Sequence, residues 1–430
     1  MIKASEYSER REKLINMMEP QSAMVLFSGV EKCKSADEDY PFEVARNFYY
    51  LTGIDQPDSM LLLINVDGER KEFLFVSPFD ERKEKWYGRR LTLEEAEARS
   101  GVHNVLVNFS FQGKLDATLS PNISQFGDIT SLYVDLDREL KIADETYIGD
   151  FLSTIKNAYQ NVNILNAYPL VTQLRLRKSV GEIQELRSAI KSTHLGINAA
   201  LKILAPGRKE YELADAFRHA INDSNGYQGE SFNTIMASGI HTTCLHYPKP
   251  VDTVPEGGLV LMDLGARNGY YCADVSRTYP ASGKFTPEQR AAYDLVLEAN
   301  KMTADLAKPG VTIEELQNAV IALYERELPR RGLLAEGEKV EDVYFHSVSH
   351  FIGLDTHDPY LSPSDRSYRK IPLEAGMVIS DEPGLYFSRL GFGIRIEDDL
   401  LITEHGSDVL TRDIPKETDQ IEHLLQSQKK

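Results

Sequence analysis

Five side chains able to bind metal stand in distinctive settings in the second half of this 430-residue chain. Asp263 closes the apolar run that begins at Gly258, and Asp274 follows within Tyr271 to Thr278. His350 lies in the segment from Phe345 to His357, Glu382 in the one from Asp381 to Tyr386, and Glu397 ends the one that starts at Gly393. A carboxylate at the end of a buried strand needs a partner, because an unpaired buried charge costs several kcal/mol. Taken singly, each has an ordinary alternative: Asp263 capping a turn, or Glu397 pairing with Arg395. Taken together, four carboxylates gathered without cations would repel one another strongly. Two divalent cations would relieve that repulsion. Four carboxylates with one imidazole suit manganese, cobalt or zinc, whereas an all-oxygen calcium cage has no need of His350. Arg395, two residues before Glu397, is expected on the same strand face, where it would orient a ligand carboxylate.

The elements that must carry these residues can be read from periodicity. Before about residue 165, Met60 to Asn65, Glu72 to Val76 and Leu132 to Leu136 read as buried strands, and Leu91 to Arg99 as a helix. Such alternation predicts an α/β domain. Ser179 and Glu182 have the spacing of a helix start, and Ile183 to Leu204 carries apolar residues at helical period. Thr286 precedes a Pro at the first helical position, and Thr312 with Glu315 marks another start. Strand-like runs at Gly258 to Asp263, Gly376 to Ser380 and Gly393 to Glu397 complete an α+β domain. The expected division is 1–172 for the N-terminal domain and 173–430 for the larger one.

Composition excludes several classes of function. Forty-eight Lys and Arg against sixty-six Asp and Glu give a net charge of −18. That argues against a nucleic-acid partner, because phosphate binding needs clustered basic residues, and against docking on an anionic membrane. No apolar run is long enough to span a bilayer, and the opening residues lack a signal-peptide core. Cys33, Cys244 and Cys272 form no CxxC pair, so free thiols and a cytoplasmic location are expected. Serine-hydrolase, His-Glu-x-x-His and phosphate-loop motifs are missing.

In order and local context, the five residues resemble the ligand set of the pita-bread metallopeptidases. The pieces that carry the resemblance are MDLG around Asp263, ADVSRTYP from Ala273, SHFIGLDTHD from Ser349, DEPGLYF from Asp381 and GIRIEDD from Gly393. The resemblance covers roughly residues 175–410. It implies that Asp263, Asp274, His350, Glu382 and Glu397 hold two divalent ions, manganese foremost, which would deliver hydroxide to a scissile carbonyl. It also implies that Glu382 is the general base, that His357 and His246 act on the developing oxyanion or the group around the scissile bond, and that His346 joins the substrate-side cluster.

Within that family the long N-terminal domain argues against methionine aminopeptidases, and the intact ligand set against creatinase-like members. The stretch Asp39 to Gly53 and the run Trp86 to Leu91 resemble Xaa-Pro aminopeptidases, whose N-domain tryptophan reaches towards a neighbouring subunit's active site, which implies a substrate-binding role for Trp86. The implied activity is release of the N-terminal residue from peptides with proline second, by a homodimer or homotetramer. Alternatives are a prolidase acting on Xaa-Pro dipeptides and a non-catalytic peptide-binding module. Arg389 could grip a dipeptide carboxylate. Phe232 stands where some aminopeptidases have Tyr, and its ring is expected to wall the proline pocket.

Overall fold

Ser179 starts its helix by a reciprocal exchange: its Oγ accepts from the Glu182 N–H at 3.2 Å, and Glu182 accepts from the Ser179 N–H at 2.9 Å. The same exchange operates at Thr92, Thr286 and Thr312, so four helix starts follow from local hydrogen bonding before any packing is considered. The computed structural model describes residues 2–66, 69–120, 124–136, 146–226, 228–359 and 366–427. It forms two compact units, Met1–Arg175 and Leu176–Lys430, divided at the end of the helix Tyr168–Leu176.

The first unit is built on a six-stranded sheet of β1 (Ser22–Phe27), β2 (Met60–Val66), β3 (Glu69–Val76), β4 (Val105–Val107), β5 (Ser131–Val134) and β6 (Asn163–Asn166). Its order is β4-β3-β2-β1-β5-β6. The pairs β1–β2 and β2–β3 are antiparallel, and the other three are parallel. All of β1 is buried, as expected of a strand with neighbours on both edges and layers on both faces. β3 begins three residues before its apolar run, because Glu69 to Lys71 extend the ladder with β2. Phe27, Phe75, Phe111 and Phe151 pack edge-on or tilted beneath this sheet.

The second unit carries the five candidate ligands. Helices α1 (Val180–Ile203), α2 (Glu210–Asn225), α3 (Pro287–Leu306) and α4 (Ile313–Arg330) accompany four small sheets among the described residues, one of them the two-residue pair Arg267–Asn268 with Tyr271–Cys272. One contains β7 (Ile235–Ser238), β8 (Leu259–Leu264) and β9 (Val275–Pro280) in the order β9-β8-β7. A second joins β10 (Val378–Asp381), β13 (Asp398–Ile402) and β14 (Ser407–Val409). A further two-stranded sheet is the hairpin of β11 (Gly384–Phe387) and β12 (Phe392–Arg395). One core serves helices and sheets alike, with Ile197, Phe217, Met262, Tyr293, Leu323 and Ile394 all buried. Gly393 allows the 3-10 turn Gly239–Thr243 to lie against β12, since a Cβ there would meet Thr242 O at 2.4 Å. The α/β and α+β expectations for the two parts agree with this architecture.

Candidate metal centre

All five residues come from strand ends or from links between strands. Asp263 is the penultimate residue of β8, and Asp274 immediately precedes β9. Glu382 lies between β10 and β11, and Glu397 between β12 and β13. His350 is held beside β10: its N–H donates to Ser380 Oγ at 2.9 Å, and its carbonyl accepts from the Ser380 N–H at 2.8 Å. Glu382 N–H bonds to Val348 O and Glu397 N–H to Ser276 O, each at 2.9 Å. Backbone ladders thus bring together residues up to 134 positions apart in sequence (397 − 263 = 134).

Asp263, Asp274, His350 and Glu397 are buried, and Glu382 is nearly so. His350 Nδ1 donates to Phe351 O at 3.0 Å, which leaves the Nε2 lone pair facing inward. Around it stand Asp274 Oδ2 at 3.4 Å, Glu382 Oε1 at 3.5 Å and Glu397 Oε1 at 4.0 Å. Burial raises the Asp274 carboxyl well above its ordinary value, with Asp263, Asp399 and Glu382 adding to the rise. Burial does the same to Glu397, assisted by Asp274, Glu382 and Asp263. Glu382 is raised by burial too, with His350 and Arg395 opposing. An inward lone pair surrounded by buried carboxylate oxygens needs a cation to satisfy it, and a divalent metal fits this donor set. Asp274, His350 and Glu397 offer ligand atoms that all lie within 4.8 Å of one another.

Arg395 braces the cluster. Its Nη2 donates to Asp263 Oδ2 at 2.5 Å, its Nε to Ser276 Oγ at 2.8 Å and its Nη1 to Tyr386 Oη at 2.9 Å. Ser276 Oγ in turn donates to Glu397 Oε2 at 2.7 Å. The Arg395 contact expected for Glu397 therefore runs through Ser276, and the direct partner is Asp263. Burial works against the Arg395 charge, but Tyr386, Asp263 and Glu397 outweigh it. His346 Nδ1 donates to Ser347 O at 2.8 Å, so its Nε2 accepts from the Tyr386 hydroxyl at 2.8 Å. Burial, then the Arg395 charge, pulls the His346 pKa down to about 3, which keeps the ring neutral.

The remaining candidates lie farther out. The His357 ring sits 4.5 Å from that of His350, centroid to centroid. Burial, then His350 and His246, hold the His357 pKa low, although its solvent exposure tempers the first of these. His246 is exposed, yet close enough to act electrostatically on both His346 and His357. Phe232 is half-buried, and the carbonyl of its neighbour Ser231 accepts from Thr356 Oγ1 at 3.5 Å. Trp86, in the first unit, is 84% exposed. Arg389 lies in the turn of the β11–β12 hairpin and donates to Leu333 O at 3.4 Å. Ser276 and Tyr386 went unremarked as site residues, although both fall within the motif pieces quoted above. Tyr386 pairs with Gly393, two residues from Arg395 on the same strand face.

The model of metallopeptidase family M24 matches residues 184–404, and that of the aminopeptidase P N-terminal domain matches residues 7–125. The Xaa-Pro aminopeptidase of Haemophilus influenzae is 35% identical over 98% of this chain and 97% of its own. This chain belongs to metallopeptidase family M24. Within that family it is a metallo-aminopeptidase, a hydrolase with the pita-bread catalytic fold. The Escherichia coli Xaa-Pro aminopeptidase is 34% identical over 100% of this chain and 99% of its own. The solved structure of E. coli aminopeptidase P with the inhibitor Pro-Leu superposes with a TM-score of 0.89 at 32% identity, covering 100% of this chain and 99% of that one.

Proposed function

We propose that this M24 enzyme releases the N-terminal residue from peptides with proline in the second position. Asp263, Asp274, His350, Glu382 and Glu397 would hold two divalent ions, manganese foremost, with cobalt and zinc suited to the same donors. Bound there, the ions supply Lewis acidity and lower the pKa of a water. The observation that carries this reading is the inward Nε2 of His350 among the carboxylates of Asp274, Glu382 and Glu397, two of them buried and the third nearly so.

Proline bonds defeat ordinary peptidases because the tertiary amide lacks an N–H and its ring constrains the backbone. Recognition must then rest on ring shape, and Phe232 offers an apolar wall. Glu382, the ligand with the most exposed side chain, takes the proton from the attacking water and passes it towards the proline nitrogen. His357 and His246 donate to the oxygen that gains charge. His346, kept neutral and oriented by Tyr386, presents its Nδ1 3.7 Å from Glu382 Oε2. Arg395 holds Asp263 directly and Glu397 through Ser276, and its burial supports a bracing role for a residue also expected to bind substrate.

Against the prolidase alternative stands the place of Arg389 in the hairpin turn. Four residues of β11 and β12 separate Arg389 from the Arg395 end of the hairpin, roughly 13 Å of strand. Trp86, Phe79 and Tyr87 are 84, 69 and 65% exposed in one short stretch, which supports a homodimer or homotetramer. A cytoplasmic location accords with three cysteines that form no disulfide, and among the described residues no helix is long and apolar enough to cross a membrane. Metal analysis of the purified protein tests the reading. About two equivalents per chain are expected, and their loss on replacing Asp274 and His350 together would support the ligand set. A metal-free protein that still cleaves such peptides would overturn it.

A further inference from the structure

The turn that carries His357 is closed on itself. Asp358 N–H donates to Phe351 O at 2.9 Å, Gly353 N–H to Asp355 O at 3.1 Å, and Asp355 N–H to Asp358 Oδ1 at 3.3 Å. The other Asp358 oxygen accepts from Lys178 Nζ at 3.1 Å, and both side chains are only 1% exposed. Lys178 is itself fixed: its N–H donates to Gly376 O at 2.8 Å, and the next residue, Ser179, caps α1. Gly353 leaves room for the pair, since a Cβ there would lie 2.4 Å from Asp358 Oδ2 and 3.0 Å from Lys178 Cε.

An isolated buried ion pair adds little stability against an apolar pair of the same volume, because desolvation cancels most of its attraction. Its directionality remains, and here it joins the start of a long helix to the residue beside His357. We infer that Lys178 is a positioning residue that holds His357 in register with His350 through Asp358. This rests on the role proposed above for His357. At one end of the turn His350 is locked to β10, and at the other the exposed His357 directly precedes the Asp358 anchor.

The test compares Lys178→Met, and the charge-free double variant Lys178→Met/Asp358→Leu, each in the parent and in a His357→Ala background. On an Xaa-Pro-Yaa peptide with manganese, kcat is expected to fall roughly 10- to 100-fold with little change in KM or metal content. In the His357→Ala background the same changes are expected to cost almost nothing further. Equal losses in both backgrounds would overturn the inference. The double variant leaves no lone buried charge, so it keeps the test open if Lys178→Met fails to fold. A second readout needs no turnover: in 13C-histidine spectra of the metal-free protein, the His357 signal, identified by its loss in His357→Ala, should broaden or split in either variant. An unchanged His357 signal would contradict the inference, even if the parent proved inactive on proline peptides.

Discussion

Nε2 of His350 and Oδ2 of Asp274 face each other at 3.4 Å as two lone-pair atoms, because the ring spends its one N–H on Phe351 O. A proton on the carboxyl or a cation between the two atoms would satisfy both, and a bound cation is expected to add stability. In the metal-free chain, burial and mutual repulsion raise the Asp274, Glu382 and Glu397 carboxyls above their ordinary values. The folded state then binds more protons than the unfolded one, so stability is lost as pH rises through those raised values. Metal cancels the loss, so its stabilising effect should grow with pH. At 100-fold excess over Kd, the gain of about 2.7 kcal/mol corresponds to roughly 5–10 °C in Tm near pH 7.5. Differential scanning calorimetry with and without manganese at pH 5.5 and 7.5 measures it. A metal shift that is larger at pH 5.5 would contradict the account.

Replacing Glu382 with Gln keeps the shape but removes the proton acceptor. Turnover should drop on the order of 10²–10⁴-fold while circular dichroism stays unchanged. Near-parent turnover in metal-replete protein would remove Glu382 as the base.

Arg395 makes three directed bonds from one planar group, to Asp263, Ser276 and Tyr386. Lys cannot reproduce that fork. Arg395→Lys should weaken metal affinity roughly 10- to 100-fold, read by calorimetric titration with manganese. Tyr386→Phe, which loses only the bond to His346 and the acceptor for Arg395, should weaken it less.

How much of this was legible in the sequence follows from how local each signal is. The helix starts at Ser179, Thr286 and Thr312 were legible because their capping bonds span three residues. The ligands were legible because each sits in an unusual run, and the match to a known family ordered them. The linkage of Arg395 to Asp263 was not, because it depends on how β12 lies against β8 and no local period records that. Ser276 was hidden for the same reason: its contact to Glu397 crosses 121 residues. The Lys178–Asp358 pair crosses 180, so no local pattern records it.

Asp398 shows the opposite electrostatic balance from its neighbours. Burial would raise its carboxyl, but Arg277 and Lys416 overcome this and hold it below the ordinary range. Its contribution is present above the ordinary carboxylate pKa and is lost as pH falls through the depressed folded value. Asp398→Asn leaves the fully buried Arg277 without its anion, and a loss of about 3–5 kcal/mol is expected at pH 7. Urea unfolding of the metal-free proteins measures it, and a change under 1 kcal/mol would contradict the assignment.

Specificity is the central claim, and it is tested most directly by competing two substrates. With manganese restored to chelator-stripped protein, the release of free N-terminal residue is followed from an Xaa-Pro-Yaa tripeptide and from the matching Xaa-Pro dipeptide. The tripeptide should be cleaved at the Xaa–Pro bond with at least tenfold higher kcat/KM, and neither should be cleaved before metal is returned. Preference for the dipeptide, or cleavage without metal, would contradict it.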